Sequence, residues 1–280
     1  MKRIVKQVIC YIYLPYIYKA YRNALKYGFR YPFMVHTRKQ LIDLVEKNKQ
    51  ILEIGPFDIP FLKGSMVKYF DVLDQKQLKE RAIKMNRNPN GVPYIDYVSS
   101  IGDLSIVTTE KFTSVVSSHV IEHQVDLIRH LKDVSNLLNV GGKYYCIVPD
   151  KQFCFDALIP ESNLAEVIVA HVEHRERHQL RSVIEHRCLT VHNNPWRHLF
   201  GLHGGSKYNF KNEIESAINE FNISTDYIDV HAWYFTVLSF ENIIMSLFES
   251  GYIDMEIDMI YPTAPGQYEF FVIFKKCNSS

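Results

Sequence analysis

The chain has 280 residues, 47% of them apolar and 22% charged, with a formal net charge of +1. This composition predicts an ordinary soluble core of one large domain, or a domain with a sizeable insertion, and excludes a global electrostatic pull toward nucleic acid. Five cysteines, odd in number, scattered and never in a C-x-x-C pair, predict reduced thiols and a cytoplasmic protein.

Residues 1–40 depart from this balance. No acid occurs from Met1 to Ile42, whereas Lys2, Arg3, Lys6, Lys19, Arg22, Lys26, Arg30, Arg38 and Lys39 are basic and alternate with aromatics. The apolar run VICYIYLPYIY is shorter than the ~20 residues a membrane span needs, and Pro15 interrupts it. A signal peptide is not expected, because no small-residue cleavage site follows. Two readings stand for residues 1–35: helices packed on the main domain, or an interfacial anchor at the inner membrane face.

From residue 41 strands and helices alternate. RKQLIDLVEKN predicts a short amphipathic helix and QILEIG a buried strand stopping at Gly55. MVKYFDVLD predicts a second strand, followed by helix QKQLKERAIK with Asp74 as its N-cap. VPYIDYVSS and the β-branched FTSVVSSHV predict strands three and four. DLIRHLKDVSNLLN has helical spacing with GG as its stop, and KYYCIVPD reads as strand five. The alternation lapses over 151–234, which holds eight of the twelve histidines. NLAEVIVAHVEHRERHQLRSVIEH reads there as one long helix. The pattern resumes in 235–277: a helix SFENIIMSLFESG, capped by Ser239 and stopped by Gly251, then two closing strands joined by PTAPG. The expectation is an α/β core over 41–150 and 235–277, with helices on both faces of a parallel sheet and an inserted substrate-binding subdomain at 151–234.

In an open parallel sheet, ligands bind beyond the carboxyl ends of the strands. The loop ILEIGPFDIPFL lies there, but it lacks the second and third glycines of G-x-G-x-x-G. Phe57 and Ile59 would crowd a pyrophosphate, so NAD and FAD fit poorly. S-adenosylmethionine has no phosphate. Gly55 can pass its amino-acid end, Glu53 can hold the amine, and an acid at the end of strand two can hold the ribose hydroxyls. Asp71 suits that role better than Asp74, which serves as a cap.

These segments resemble the class I S-adenosylmethionine-dependent methyltransferases. LEIGPFDIP is similar to their first motif, KYFDV to the second, SSIGDL to the adenine-contacting stretch, and SVVSSHVIEHQVDLIRHLKDVSNLLNVGGKYYCIVPD to their fourth to sixth. VPDKQFCFDALIPES and YIDVHAWYFTVLSFENII further resemble a bacterial subfamily associated with surface-glycan genes. The resemblance implies a Rossmann-like seven-stranded sheet with an antiparallel last strand, QYEFFVIFKK. It implies S-adenosylmethionine as cofactor, held by Glu53, Gly55, Pro56, Asp71, Asp103, Leu104, His119 and His123. Phe57 departs from the family's glycine and puts the methionine end of the pocket in question.

Methyl transfer needs the acceptor positioned in line, and an alcohol acceptor also gains from a general base. His119, at the end of strand four, and Asp150, at the end of strand five, are candidate catalytic residues, with Glu122, Lys151 and Asp156 nearby. His231 is a third, with Trp233 beside it offering a face for a sugar ring. His171, His174 and His178 fall on one face at i, i+3 and i+7, but no zinc site is expected there, because HRERH is not H-E-x-x-H and no cysteine is suitably spaced, whereas a loosely bound Mg²⁺ near His and Asp residues stays open. The expected activity is O-methylation of a sugar or glycan-linked acceptor. A small-metabolite methyltransferase, or an inactive methyltransferase-fold partner in a glycan-assembly complex, are the alternatives. No nucleic-acid partner is expected, and the oligomeric state is open.

Overall fold

In the computed structural model, residues 35–107, 110–204, 210–224 and 228–277 are described. The anchor reading of residues 1–35 falls almost wholly outside them. No helix among the described residues is long and apolar enough to cross a membrane. One compact unit begins at Thr37, so Arg38–Asp43 (α1), which straddles the boundary expected at residue 41, belongs to it. Thr37 caps α1 in a reciprocal capping box with Gln40.

Seven strands form one sheet in the order β3-β2-β1-β4-β5-β7-β6. They are β1 (Ile51–Ile54), β2 (Val67–Asp71), β3 (Tyr97–Val98), β4 (Phe112–Ser118), β5 (Leu138–Pro149), β6 (Met255–Tyr261) and β7 (Glu269–Lys276). β1 to β5 pair in parallel, and β7 runs antiparallel to both β5 and β6. This is the Rossmann-like sheet with an antiparallel last strand that the resemblance implies. β1, buried along its whole length, is the near-continuous apolar run expected of a strand covered on both faces.

The helices are α2 (Gln75–Lys84), α3 (Leu127–Leu137), α4 (Leu164–Val172), α5 (Leu180–Leu189), α6 (Pro195–Leu199), α7 (Phe210–Ile223) and α8 (Val237–Glu249). Asp74 caps α2 as expected, with Gln77 returning the bond. The main core joins Leu52, Phe70, Val115, Phe270, Val272 and Phe274 of the sheet to Leu131 of α3, Val167 of α4 and Phe240 of α8. The segment between β5 and α8 thus contributes to the main core through Val167, Ala170, Trp233 and Phe235. It also has a cluster of its own, Val183, Ala217, Ile228 and Val230.

Three local expectations change. The single long helix is two, α4 and α5. His174 takes a left-handed φ of 50°, and the amides of His174 and Arg175 bond back to His171 and Ala170. That is a Schellman stop with histidine where glycine is usual. It also separates His171 from His178, so they share no helix face. The cap of α8 is Thr236, with Ser239 as its capping-box partner; Gly251, at φ 74°, ends the helix as expected. The Gly-Gly pair does not stop α3, which ends at Leu137 and turns directly into β5. The glycines lie in β5 where its register on β4 shifts between Phe112 and Ser114.

Candidate active site

A cleft of about 1170 Å³ opens at the carboxyl ends of β1, β2 and β4. Gly55, Pro56, Asp71, Leu104, His119 and His123, all expected at the cofactor site, line it. Gly55 follows β1 with φ 70°, and a Cβ there would lie 2.9 Å from Val120 Cγ2. The loop after β1 is therefore held close to the turn after β4 by the absence of a side chain. Gly91 works similarly from the other side, since its Cβ would sit 2.0 Å from the Asp58 carbonyl oxygen.

Phe57 takes a left-handed φ of 44°, so the chain follows the path a glycine would allow. Its ring packs against Leu78, Ala82, Val92 and Ile95, with the Arg87 guanidinium 4.8 Å and Arg81 5.6 Å from its centroid. Phe57 is a wall of the cleft and leaves it open.

Asp71 ends β2 and is buried, accepting the Leu73 amide at 3.2 Å. Burial pushes its carboxyl up to about 6, against the pull of the Leu73 and Val72 amides and of Arg81. Glu53 does not line the cleft. Its carboxylate is buried and accepts the amides of Phe61 (2.8 Å) and Leu62 (3.1 Å). Burial outweighs those bonds and raises it to about 7. Glu53 therefore shapes the loop from beneath and is not positioned to meet an amine in the cleft. Asp103 also stays out of the cleft: it caps the 3-10 turn Leu104–Ile106 through the Ser105 amide at 2.9 Å. Ser100, Ile101 and Gly102 take the place beside the cleft that the sequence assigned to it.

Of the three catalytic candidates, only His119 borders the cleft. Its amide bonds the Ile147 carbonyl at 3.0 Å, adding one rung past β4, and its φ of 53° then turns the ring inward. Nε2 lies 2.9 Å from Glu269 Oε2 and 3.2 Å from the Arg38 guanidinium. Arg38 grips Glu269 with two bonds of 2.6 Å. Although burial opposes it, these donors hold the Glu269 carboxyl below its ordinary value. The backbone carries sequence-distant side chains to one ring, and neither Arg38 nor Glu269 had a local motif to announce it.

Asp150 is buried under the β5 end, accepting Thr263 Oγ1 at 2.7 Å and the Gln152 amide at 3.1 Å. Burial raises it to about 6. It closes a turn against the β6–β7 loop and does not line the cleft. His231 is also buried, its Nδ1 2.7 Å from Asp156 Oδ2. Burial works against its charge, but Asp156 and then Glu122 leave it raised. Trp233 is part of the core and offers no face to the cleft. His123 is held by the Val230 carbonyl at 3.1 Å, and burial keeps it well below the usual imidazole range.

Among the described residues, two groups of side chains have metal-ligand spacing: Glu122, His123 and His231, and Asp156, His186 and His231. Neither involves the HRERH segment considered in the sequence.

Neither a family profile nor a curated protein matches the chain. Among solved structures it is similar to the CcbJ methyltransferase from Streptomyces caelestis, at 9% identity, covering 89% of this chain and 100% of that one, with a TM-score of 0.39. It is similar to an S-adenosylmethionine-dependent methyltransferase from Clostridium acetobutylicum, at 10% identity, covering 96% and 100%, with a TM-score of 0.42. It is also similar to one from Mesorhizobium loti, at 13% identity, covering 85% and 96%, with a TM-score of 0.42.

Proposed function

We propose that the chain is a methyltransferase that binds S-adenosylmethionine at the Gly55–Asp71 face of the cleft and O-methylates a sugar or glycan-linked hydroxyl. The observation that carries this is the pairing of a left-handed Gly55 after β1 with a buried, cleft-facing Asp71 at the end of β2. The first lets the backbone approach a ligand closely. The second offers an acceptor to ribose hydroxyls, and no glycine-rich phosphate cradle accompanies it. The cleft, at about 1170 Å³, exceeds the roughly 300–1,000 Å³ of a single-ligand pocket, which leaves room for an acceptor beside the cofactor.

The sulfonium supplies an activated methyl group when the cofactor is bound. The chain's part is to position an acceptor oxygen and take its proton. His119 is the general base in this reading. Glu269 orients its ring, and Arg38 holds Glu269 in place.

Calorimetry with S-adenosylhomocysteine tests the cofactor. Asp71→Ala removes charge-assisted bonds and is expected to weaken binding by roughly 10–100-fold. Wild-type affinity should also fall as pH drops through about 6, where Asp71 takes up a proton. Absence of heat with folded wild-type protein would sink the proposal. At saturating cofactor, His119→Gln should lower methyl transfer by about 10²–10⁴-fold. Offering glycan-linked and free-sugar acceptors side by side then identifies the acceptor class.

A further inference from the structure

Glu122 follows the His119 turn and is fully buried, with no hydrogen-bond partner among the described residues for either carboxylate oxygen. A charge so placed costs several kcal/mol unless a cation meets it. The groups around it are imidazoles. Nε2 of His231 and Nε2 of His123 each lie 3.9 Å from Glu122 Oε1, and His119 Nδ1 lies at 3.6 Å.

The opposite nitrogens of two of these rings are already engaged. His123 Nδ1 meets the Val230 carbonyl oxygen at 3.1 Å, which can only accept, so Nδ1 carries the proton and Nε2 a lone pair. His231 Nδ1 meets Asp156 Oδ2 at 2.7 Å. With Nδ1 donating there, Nε2 of the neutral ring is also a lone pair. Lone pairs from a carboxylate and two imidazoles then converge. An imidazolium at His231 is the rival arrangement, but 3.9 Å to Glu122 is too long for the hydrogen bond it would make.

We propose that Glu122, His123 and His231 form a two-histidine, one-carboxylate site for a divalent first-row metal ion of the zinc class. The ligand atoms lie within 4.8 Å of one another. Metal bonds of ~2.1 Å in a tetrahedron put donors about 3.4 Å apart, so from 3.9 Å at the Glu122 contacts and at most 4.8 Å within the group the rings close in by roughly 0.5–1.4 Å on binding. The Asp156–His231 and Val230–His123 bonds are the outer contacts that fix ligand tautomers at metal sites. In the second group, Asp156, His186 and His231, the carboxylate already meets His231 Nδ1 at 2.7 Å, whereas neither Glu122 oxygen has a hydrogen-bond partner among the described residues, which favours the first. Because His123 lines the cleft, a metal held by these residues would lie beside a molecule bound there and would supply Lewis-acid polarisation to its hydroxyl or carbonyl. The site stands whether or not the cleft binds S-adenosylmethionine.

The test is titration of EDTA-dialysed full-length protein with Zn²⁺, and with Co²⁺ followed by its visible absorption. Wild type should take up one equivalent at the site. Glu122→Gln and His231→Gln should each weaken uptake by more than about 100-fold, and Asp156→Asn by roughly 10–100-fold. His203→Gln, in the separate His192–His198–His203 group, should leave this equivalent unchanged. Circular dichroism verifies folding, and His123→Gln replaces any variant that fails to fold. No uptake by wild type, or uptake indifferent to Glu122, His231 and His123, overturns the site. So does loss with His203→Gln alone.

Discussion

Two kinds of buried acid flank the cleft. Beneath β1, Glu53 is closed off by two amides only eight and nine residues ahead of it. After β4, Glu122 has no such amides among the described residues and meets imidazoles from two segments, His119 and His123 of its own turn and His231 from before α8. The first arrangement is a loop folded back on its own strand, complete without any ligand. The second depends on segments brought together by the whole fold, and its polar groups are left facing one another. Side-chain burial alone does not distinguish a structural acid from a functional one; the source and completeness of the partners do.

The largest effect that sharpens this contrast belongs to Glu53. Its folded pKa, about 7, lies above the ordinary value of 4.5. Between those values the native state holds a proton that the unfolded chain releases. The stability this group contributes is therefore full below pH 4.5 and is lost as pH rises through 7, on the order of 3 kcal/mol in all. Denaturant melts across that window should show wild type losing stability relative to Glu53→Gln as pH rises. A constant difference would mean that the two amides keep Glu53 ionised throughout.

Arg38→Met should come next. It leaves Glu269 buried with His119 as its one side-chain partner among the described residues. Because Arg38 is partly exposed, the cost is below that of a fully buried pair, about 2 kcal/mol. Adding Glu269→Gln should recover most of it, whereas a double variant no more stable than Arg38→Met would show that the loss is one of packing.

How well the sequence foretold each part follows the same division. Asp74 as a cap, Gly251 as a stop and the succession of strands 51–149 rest on interactions within a few residues, and periodicity and turn chemistry show these. The direction of Glu53 is not legible in the sequence, because a strand-end acid can face the cleft or the loop beneath, and only the path of Phe61 and Leu62 decides. Arg38 and Glu269, 231 positions apart, carry no shared local pattern. Glu122, Asp156 and His231 each stand out singly in the sequence, but their convergence is a property of the fold.

Gly55→Ala tests the contact joining the two regions. The new Cβ meets Val120 at 2.9 Å in a backbone with φ 70°, so a loss of about 1–2 kcal/mol is expected from the left-handed geometry, with the clash added. Adding Val120→Ala should remove the clash and leave the backbone part. If Val120→Ala returns the protein to wild-type stability, the left-handed turn itself is not the constraint.

The smallest effect carries the clearest sign. His174 holds a left-handed φ of 50° at the stop of α4, so His174→Gly should raise stability by roughly 1 kcal/mol, the strain a side chain bears there. In the continuous helix that the spacing of NLAEVIVAHVEHRERHQLRSVIEH predicts, the same change would place glycine in a helix interior and cost about 1 kcal/mol. Thermal melts thus separate the two by sign. A stabilised variant fixes the break, and with it the separation of His171, bonded to Asp126 at 2.9 Å, from His178 at the cleft. A destabilised one would restore a single helix carrying both histidines, and the segment that delivers His186 toward His231 would have to be rebuilt around it.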